Sequence, residues 1–395
     1  MRLAFFPWIR LDEPMTLGDV RLIPYFRKAR SLPLAHIPKA DVDAIFKAYA
    51  DRPGKAVQHG VIVEVADWHS GTDMPAPVFD RLWQVKEILT LSALASRHLF
   101  VSDGSYVNSH AYALVVQNFT AGSAHGFAFS TRRRDGVATN FWSSEQFAFQ
   151  RPLHVSDRWR VTVDVKLAEA LLALPVDDPI LEAIREFNAA NTDSGDVAPH
   201  VEIVMVKSAF EWLLGIDEKR SSLSAALTKL FPAPAHGAEG GPLRDAWLKR
   251  HKPSDQRLLS AWVADFCVLR GSAAHGKGRG RAPTVWDHFP HLAFASILFP
   301  LLVKKVLAER GLYRPSDRDN DEFAHIEDYL EVDPRATEDM PHEFAWSGVR
   351  RKLTELALGR GLHKAILDAL NKTQAVDAAP PTAAEKRRRP RKTDR

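Results

Sequence analysis

The sequence predicts two kinds of structure in series: an N-terminal α+β domain of about 165 residues, then an all-α helical bundle, making a multidomain chain. Three observations lead there. Period-two apolar runs cluster before residue 165, apolar residues recur at helical spacing after it, and 395 residues exceed one ordinary core.

The runs that read as strands are residues 3–11, 20–26, 57–68, 112–120, 126–132 and 159–166. Val61, Val63 and Val65 fall on one face of the third. Two helices interrupt them, one over 41–50 behind Asp41 as its cap, the other over 79–99 with Leu82, Val85, Leu89 and Ala93 at helical spacing. The first ten residues, broken by Pro7 and Arg10, read as a strand and not as a signal peptide.

After residue 165 helices are expected at 178–190, 201–216, 223–231 behind a serine cap, 255–270 and 288–310, where Pro300 predicts a kink. Ile180, Leu181, Ile184 and Phe187 share one side of the first. Leu258, Leu259, Trp262, Phe266 and Leu269 line the fourth, and helices apolar on most sides belong inside a bundle. The Pro-, Ala- and Gly-rich residues 232–242 read as a loop. The domains expected are 1–165, a bundle at 166–312, a helical extension at 313–374 and a disordered basic tail from 375.

A content of 45% hydrophobic and 26% charged residues is that of a globular protein, and no apolar run of about 18 residues suggests a membrane span. Cys267 is the only cysteine, which excludes an intrachain disulfide, fits the cytoplasm and suggests a small packed hydrophobe. Of the net +4, residues 376–395 supply all: seven Lys and Arg against Asp377, Glu385 and Asp394. Any RNA-binding surface elsewhere must therefore be local, and the tail suits either solubility or an RNA tether.

The segment from Arg270 to Arg281, Arg-Gly-Ser-Ala-Ala-His-Gly-Lys-Gly-Arg-Gly-Arg, is the most informative. Histidine titrates near neutrality and can take a proton from a ribose 2′-hydroxyl or give one to the leaving oxygen. Arginine stays charged and can brace a pentavalent phosphate. Arg270 and His275 thus form a catalytic pair that needs no metal or other cofactor. Lys277, Arg279 and Arg281 would hold flanking phosphates, with glycines between them letting the backbone approach. Spacing alone is weak evidence, since with four to six intervening residues allowed Arg244/His251, Arg318/His325 and others also match. Context separates Arg270/His275, which lies between two apolar helices. Five residues along an α-helix turn through about 140°, so the pair converges only if the helix loosens near Gly271 and Gly276 or a two-fold dimer joins both pairs in one cleft.

Four features resemble the HEPN superfamily and its ApeA-like branch of bacterial defence proteins: helix 184–191, the apolar helix Ser208-Ala209-Phe210-Glu211-Trp212-Leu213-Leu214, Arg270-x4-His275-Gly276, and the closing helix through Leu301-Leu302-Val303. Together they cover about 140 residues. The resemblance implies a helical, usually dimeric bundle that cuts RNA without metal through Arg270 and His275, with Ser272 in support and Glu211 as a buried acid orienting Arg270. It also implies an antiviral or toxin-like setting, with a phage or cellular activator sensed by the N-terminal domain. One position departs: the residue after the arginine is commonly Asn or Asp in the family and is Gly271 here. A related subgroup has a nucleotide-accepting tyrosine two residues after the histidine, where this chain has Lys277. The alternatives are an inactive HEPN module that binds RNA or a partner protein, and a scaffold whose N-terminal domain carries the activity.

Asp287, His288 and His291 have metal-ligand spacing, which a helix start explains equally well. Residues 317–322 begin like a calcium loop but put Glu322 where glycine is needed, and read as a solvated acidic loop. Arg132-Arg133-Arg134 suits an exposed turn or a nucleic-acid contact. Phosphate-binding GxxxxGK[ST], GxGxxG after a strand and GxSxG do not occur.

Overall fold

A computed structural model describes residues 1–52, 55–96, 108–122, 127–132, 135–136, 138–141, 148–155, 162–231, 233, 242–274, 284–332 and 346–377. Residues 1–347 form one compact unit and residues 348–395 a second.

In the first unit the strands are β1 (Arg2–Phe6), β2 (Met15–Leu17), β3 (Val20–Phe26), β4 (Tyr49–Arg52), β5 (Lys55–Ala56), β6 (His59–Val65), β7 (Val115–Phe119), β8 (Phe127–Arg132), β9 (Ala138–Phe141) and β10 (Phe149–Gln150). Seven build an antiparallel sheet in the order β2-β3-β6-β1-β7-β8-β9, and β10-β4-β5 form a small second sheet. β3 and β6 pair along their whole length, from Val20 opposite Val65 to Phe26 opposite His59. Val61, Ile62, Val63 and Val65 are all buried, so β6 is covered on both faces and its apolar residues do not alternate with polar ones.

The helices are α1 (Lys39–Phe46), α2 (Ala76–Ser96), α3 (Val165–Leu172), α4 (Pro179–Ala190), α5 (Pro199–Leu214), α6 (Arg220–Leu230), α7 (Pro242–His251), α8 (Leu258–Ala274), α9 (His288–Glu309) and α10 (Asp317–Ala324). An α+β region followed by a helical region is therefore the fold. α2 packs on β6 and also on α3, α4 and α9, so one helix serves both the sheet and the bundle. The bundle core stacks Phe187 on Phe299 at 4.2 Å and Trp262 on Phe266 at 5.1 Å, with Phe210 edge-on to all but Phe187.

Several local expectations need correction. α1 starts two residues before Asp41, which instead accepts the Gly122 N–H, and it stops at Phe46 because residues 49–52 form β4. Residues 165–172 are helix α3, capped by Asp164, and not the end of a strand. Ser221 and Ser222 lie inside α6, whose cap is Lys219. The acidic residues 317–322 are helical: Ser316 and Asp319 form a capping box, and negative charge in a first turn favours the helix dipole. α9 contains Pro300 within one helix of 22 residues, and an 18-residue window of it has a mean hydropathy of 1.6, which by length and composition would suit a membrane span, although 78% of that window is buried inside the protein. The loop expected at 232–242 lies almost wholly outside the described residues, as do Arg133 and Arg134.

Polar contacts stitch the sheet region to the bundle. The Ser109 amide donates to the Asn191 carbonyl at 2.8 Å, and Asn108 Nδ2 reaches Asp193 Oδ2 at 3.1 Å and the His154 carbonyl at 3.3 Å. His110 Nδ1 and His154 Nε2 are 2.8 Å apart, and burial together with His154 lowers the pKa of His110. Glu202, buried in the first turn of α5, is pushed up from 4.5 to about 7 by burial and by the nearby Asp193 charge. A carboxyl raised in the folded state imposes no penalty below its unfolded value, and the penalty grows as pH rises through the folded one. Glu202→Gln should therefore raise the Tm at pH 8 by about 2–4 °C, with the gain shrinking toward zero by about pH 4.5. Thermal unfolding across that range checks it, and an equal gain at both ends would disprove the assignment.

Candidate active site at the end of α8

α8 is buried all round from Leu258 to Phe266 and half-exposed from Cys267 except at Leu269, so Arg270, Gly271 and Ser272 stand where the helix emerges from the bundle. The Nε of Arg270 is buried and has no hydrogen-bond partner among the described residues. Gly271 is helical, and nothing lies within 4 Å of a Cβ built on it. The loosening expected near Gly271 does not occur there, since α8 is unbroken to Ala274, and Gly276 lies outside the described residues. The absence of a polar side chain at 271 is not imposed by crowding. His275, Lys277, Arg279 and Arg281 lie outside the described residues.

Around Cys267, one turn before Arg270, charged groups gather from three helices. Burial raises the pKa of the Cys267 thiol, and the charges of Lys207 and Glu211 from α5, Arg220 from α6 and Arg270 all act on it. Three cations and one carboxylate thus act on the same thiol. Glu211 accepts a very short hydrogen bond from Lys207 Nζ, which also donates to the Glu218 carbonyl at 2.9 Å. The acid expected to orient Arg270 is therefore held by Lys207 in the hydrogen bonds seen here, and it is half-buried. With Glu211 committed to Lys207, the charge of Arg270 remains available for an anion. Lys207 and Arg220 were missed in the sequence, where a lysine on an apolar helix and an exposed arginine carry no signature.

The other part missed is Asp265, fully buried on α8. Its carboxylate accepts from His251 Nε2 at 2.7 Å, His291 Nε2 at 3.1 Å, the Val285 amide at 3.0 Å and the Trp286 amide at 3.1 Å. Burial alone would raise its pKa, but the bonds from His251 and His291 and the Trp286 N–H together hold it far below the usual carboxylate range. Burial keeps His291 neutral against the pull of Asp265. Trp247, Trp262 and Trp286 enclose the group, with Trp247 edge-on to Trp286 at 4.9 Å. Asp265 thus ties together the last residue of α7, the middle of α8 and the first turn of α9. It also holds residues 285 and 286 against the middle of α8.

Of the spacing that suggested a metal, Asp287 caps α9 by accepting the Phe289 N–H, and His291 faces Asp265. Among the described residues no three His, Cys, Asp or Glu side chains form a metal-holding group. No family model, curated protein or solved structure matches the chain, so the site is read from its own geometry.

Proposed function

We propose that the protein is a metal-independent endoribonuclease of HEPN type, acting as a cytoplasmic homodimer in a defence or toxin-like role under control of its N-terminal region. The observation that carries this reading is Arg270: an arginine at the emergent end of a buried helix, its Nε unpartnered among the described residues, immediately before the Gly/basic stretch of the sequence. In this mechanism His275 takes the proton from a ribose 2′-hydroxyl. The 2′-oxygen attacks the adjacent phosphorus, Arg270 braces the added negative charge, and the 5′-oxygen leaves with a proton. The products are a 2′,3′-cyclic phosphate and a 5′-hydroxyl. Ser272 sits half a turn from Arg270 on the same helix, and Lys277, Arg279 and Arg281 hold flanking phosphates. Because α8 stays helical through Ala274, a two-fold partner supplying the second Arg270/His275 pair completes the cleft.

The second reading, an inactive module that binds RNA or a partner protein, is favoured by Gly271, where the family's usual polar side chain would fit but is missing. A cleavage assay in EDTA separates the two. Arg270→Ala and His275→Ala should each cut at least about 100-fold more slowly than wild type while keeping its circular dichroism spectrum. Unchanged rates, or fragments ending in 3′-hydroxyls, would exclude the mechanism.

A further inference from the structure

The connection from β3 to α1 carries charge of one sign. Residues 27–40 include Arg27, Lys28, Arg30, His36 and Lys39 and contain no Asp or Glu. The backbone is pinned where the cations begin. The Arg27 amide donates to the Gln58 carbonyl at 3.0 Å, the Ala29 amide to the Phe26 carbonyl at 3.0 Å, and Lys39 Nζ to the Arg27 carbonyl at 2.9 Å. A fixed turn over residues 26–29 thus gathers Arg27, Lys28 and Arg30 just past the end of β3. Carboxylates on the adjoining elements are already committed. Asp43 accepts from Lys39 Nζ at 2.6 Å and from Tyr25 Oη at 2.8 Å, Asp41 accepts the Gly122 amide at 3.1 Å, and Asp12 is paired with Arg10, whose guanidinium lies 5.7 Å over the Phe26 ring. Lys28 and Arg30 are exposed and Arg27 is half-buried, and none of the three side chains forms a hydrogen bond or ion pair among the described residues. Nη1 of Arg27 is buried with no acceptor at all, which is costly for a charged donor unless an anion supplies one.

We propose that the turn over residues 26–30 is a binding site for a phosphate-bearing ligand, with Arg27 as its anchored donor and Lys28 and Arg30 as flanking cations. The planar fork of a guanidinium matches two oxygens of one phosphate, and the two exposed side chains neutralise the phosphates on either side of it. A lone carboxylate answers only one of the three charges. A nucleoside di- or triphosphate, or successive phosphates of a nucleic-acid chain, answers all three. Ala29 in the middle of the turn leaves room for such a ligand to lie close to the backbone. The site belongs to the sheet region and does not rest on the nuclease reading of the bundle.

The test titrates full-length protein with pyrophosphate, with ATP and with a fluorescent 2′-O-methyl RNA, which lacks the attacking hydroxyl and so reports binding without cleavage. Three proteins are compared with wild type: Arg27→Gln, the double variant Lys28→Gln/Arg30→Gln, and the triple variant. The double variant should keep the wild-type Tm because both side chains are exposed, so the proposal stays testable even if Arg27→Gln fails to fold. If the phosphates come from a free nucleotide, wild type binds ATP and pyrophosphate, and each variant weakens both by about 10-fold or more. If they come from a nucleic-acid chain, the triple variant lowers the slope of log K against log salt for RNA by about 2, the value for three lost phosphate contacts on a single strand. Either result upholds the site. Affinities and slopes that are the same in all four proteins for every probe would overturn it. So would polyglutamate bound as tightly as the phosphate probes and lost in the same variants, which would make the turn a site for acidic peptides. Cleavage kinetics of His275→Ala decide the nuclease reading separately, because this assay involves no chemistry.

Discussion

Asp265→Asn should be the most damaging single change near the site, costing about 3–5 kcal/mol of stability and lowering the Tm by roughly 10 °C. The carboxylate takes four N–H donors on two oxygens. Asparagine offers one acceptor oxygen and turns an NH2 group toward the rest, leaving buried donors facing a donor, each at about 1–3 kcal/mol. Asp265 and His291 are both fully buried, so bulk solvent cannot compensate. The effect on function should exceed that of unfolding alone. At temperatures where the variant is still folded, residues 285 and 286 lose their anchor, and on the proposed nuclease reading cleavage should fall by about 10-fold or more, the scale of a misplaced catalytic group. The pH dependence has a definite sign. A carboxyl depressed in the folded state contributes its full stability above the ordinary carboxylate value and loses it as pH falls toward the folded one, while a histidine held neutral by burial weakens the fold once pH drops below the ordinary histidine value. Wild type should therefore lose stability as pH falls from about 6.5, and Asp265→Asn should show a shallower acid limb. A variant with wild-type Tm and wild-type cleavage would show that Asp265 clamps nothing.

The parts of this molecule that were legible in the sequence are those whose signal is local. β3 over Val20–Phe26 shows in its apolar spacing, α4 announces itself through the Asp178 cap and Pro179, and the buried helices α8 and α9 are apolar over most of their length. What was not legible depends on partners distant in the chain. α7 is polar along most of its length and is fixed by Trp247, whose Nε1 donates to the Leu330 carbonyl at 2.8 Å, so periodicity has nothing to register. Residues 317–322 have the composition of a solvated loop, and Lys304 and Tyr313 join Ser316 in making burial of Asp319 tolerable. The same holds at the site. Arg270 stands out as a cation closing an apolar helix, and Glu211 as an acid within one. Asp265 carries the same signature in Trp262-Val263-Ala264-Asp265-Phe266, and a buried charge of that kind demands a partner. Its partners lie 14 residues before it and 20 to 26 after it, where no spacing rule points.

Lys304→Met should cost about 3–5 kcal/mol and roughly 10 °C in Tm while sparing the chemistry. Lys304 is 3% exposed on α9, and its Nζ lies 2.7 Å from Asp164 Oδ2 and 2.5 Å from Asp319 Oδ1. Asp164 caps α3 through the Leu167 amide, and Asp319 also accepts from Tyr313 Oη at 2.8 Å and Ser316 Oγ at 2.7 Å, so one ammonium joins α3, α9 and α10. Burial would lower the pKa of the lysine, but the two carboxylates outweigh it and raise it, and Lys304 in turn helps hold Asp319 below its ordinary value. Methionine fills the space of the aliphatic stem but leaves the buried Asp319 carboxylate beside Asp164 with no cation, which favours the protonated form of Asp319. That reverses the sign of the local pH dependence. With the cation present Asp319 stabilises the fold above the carboxylate range. Without it the folded value of Asp319 rises, and the stability it permits is present only below the unfolded value and lost as pH increases. The Tm gap between wild type and Lys304→Met should accordingly be widest near pH 8 and narrow by half or more near pH 4.5, and Lys304→Met/Asp319→Asn should recover much of the loss by removing one of the two charges. A gap that stays constant with pH would mean that the lysine acts through packing alone. Per folded molecule at 25 °C, RNA cleavage by Lys304→Met should match wild type, because none of the groups it joins belongs to the cluster around Arg270.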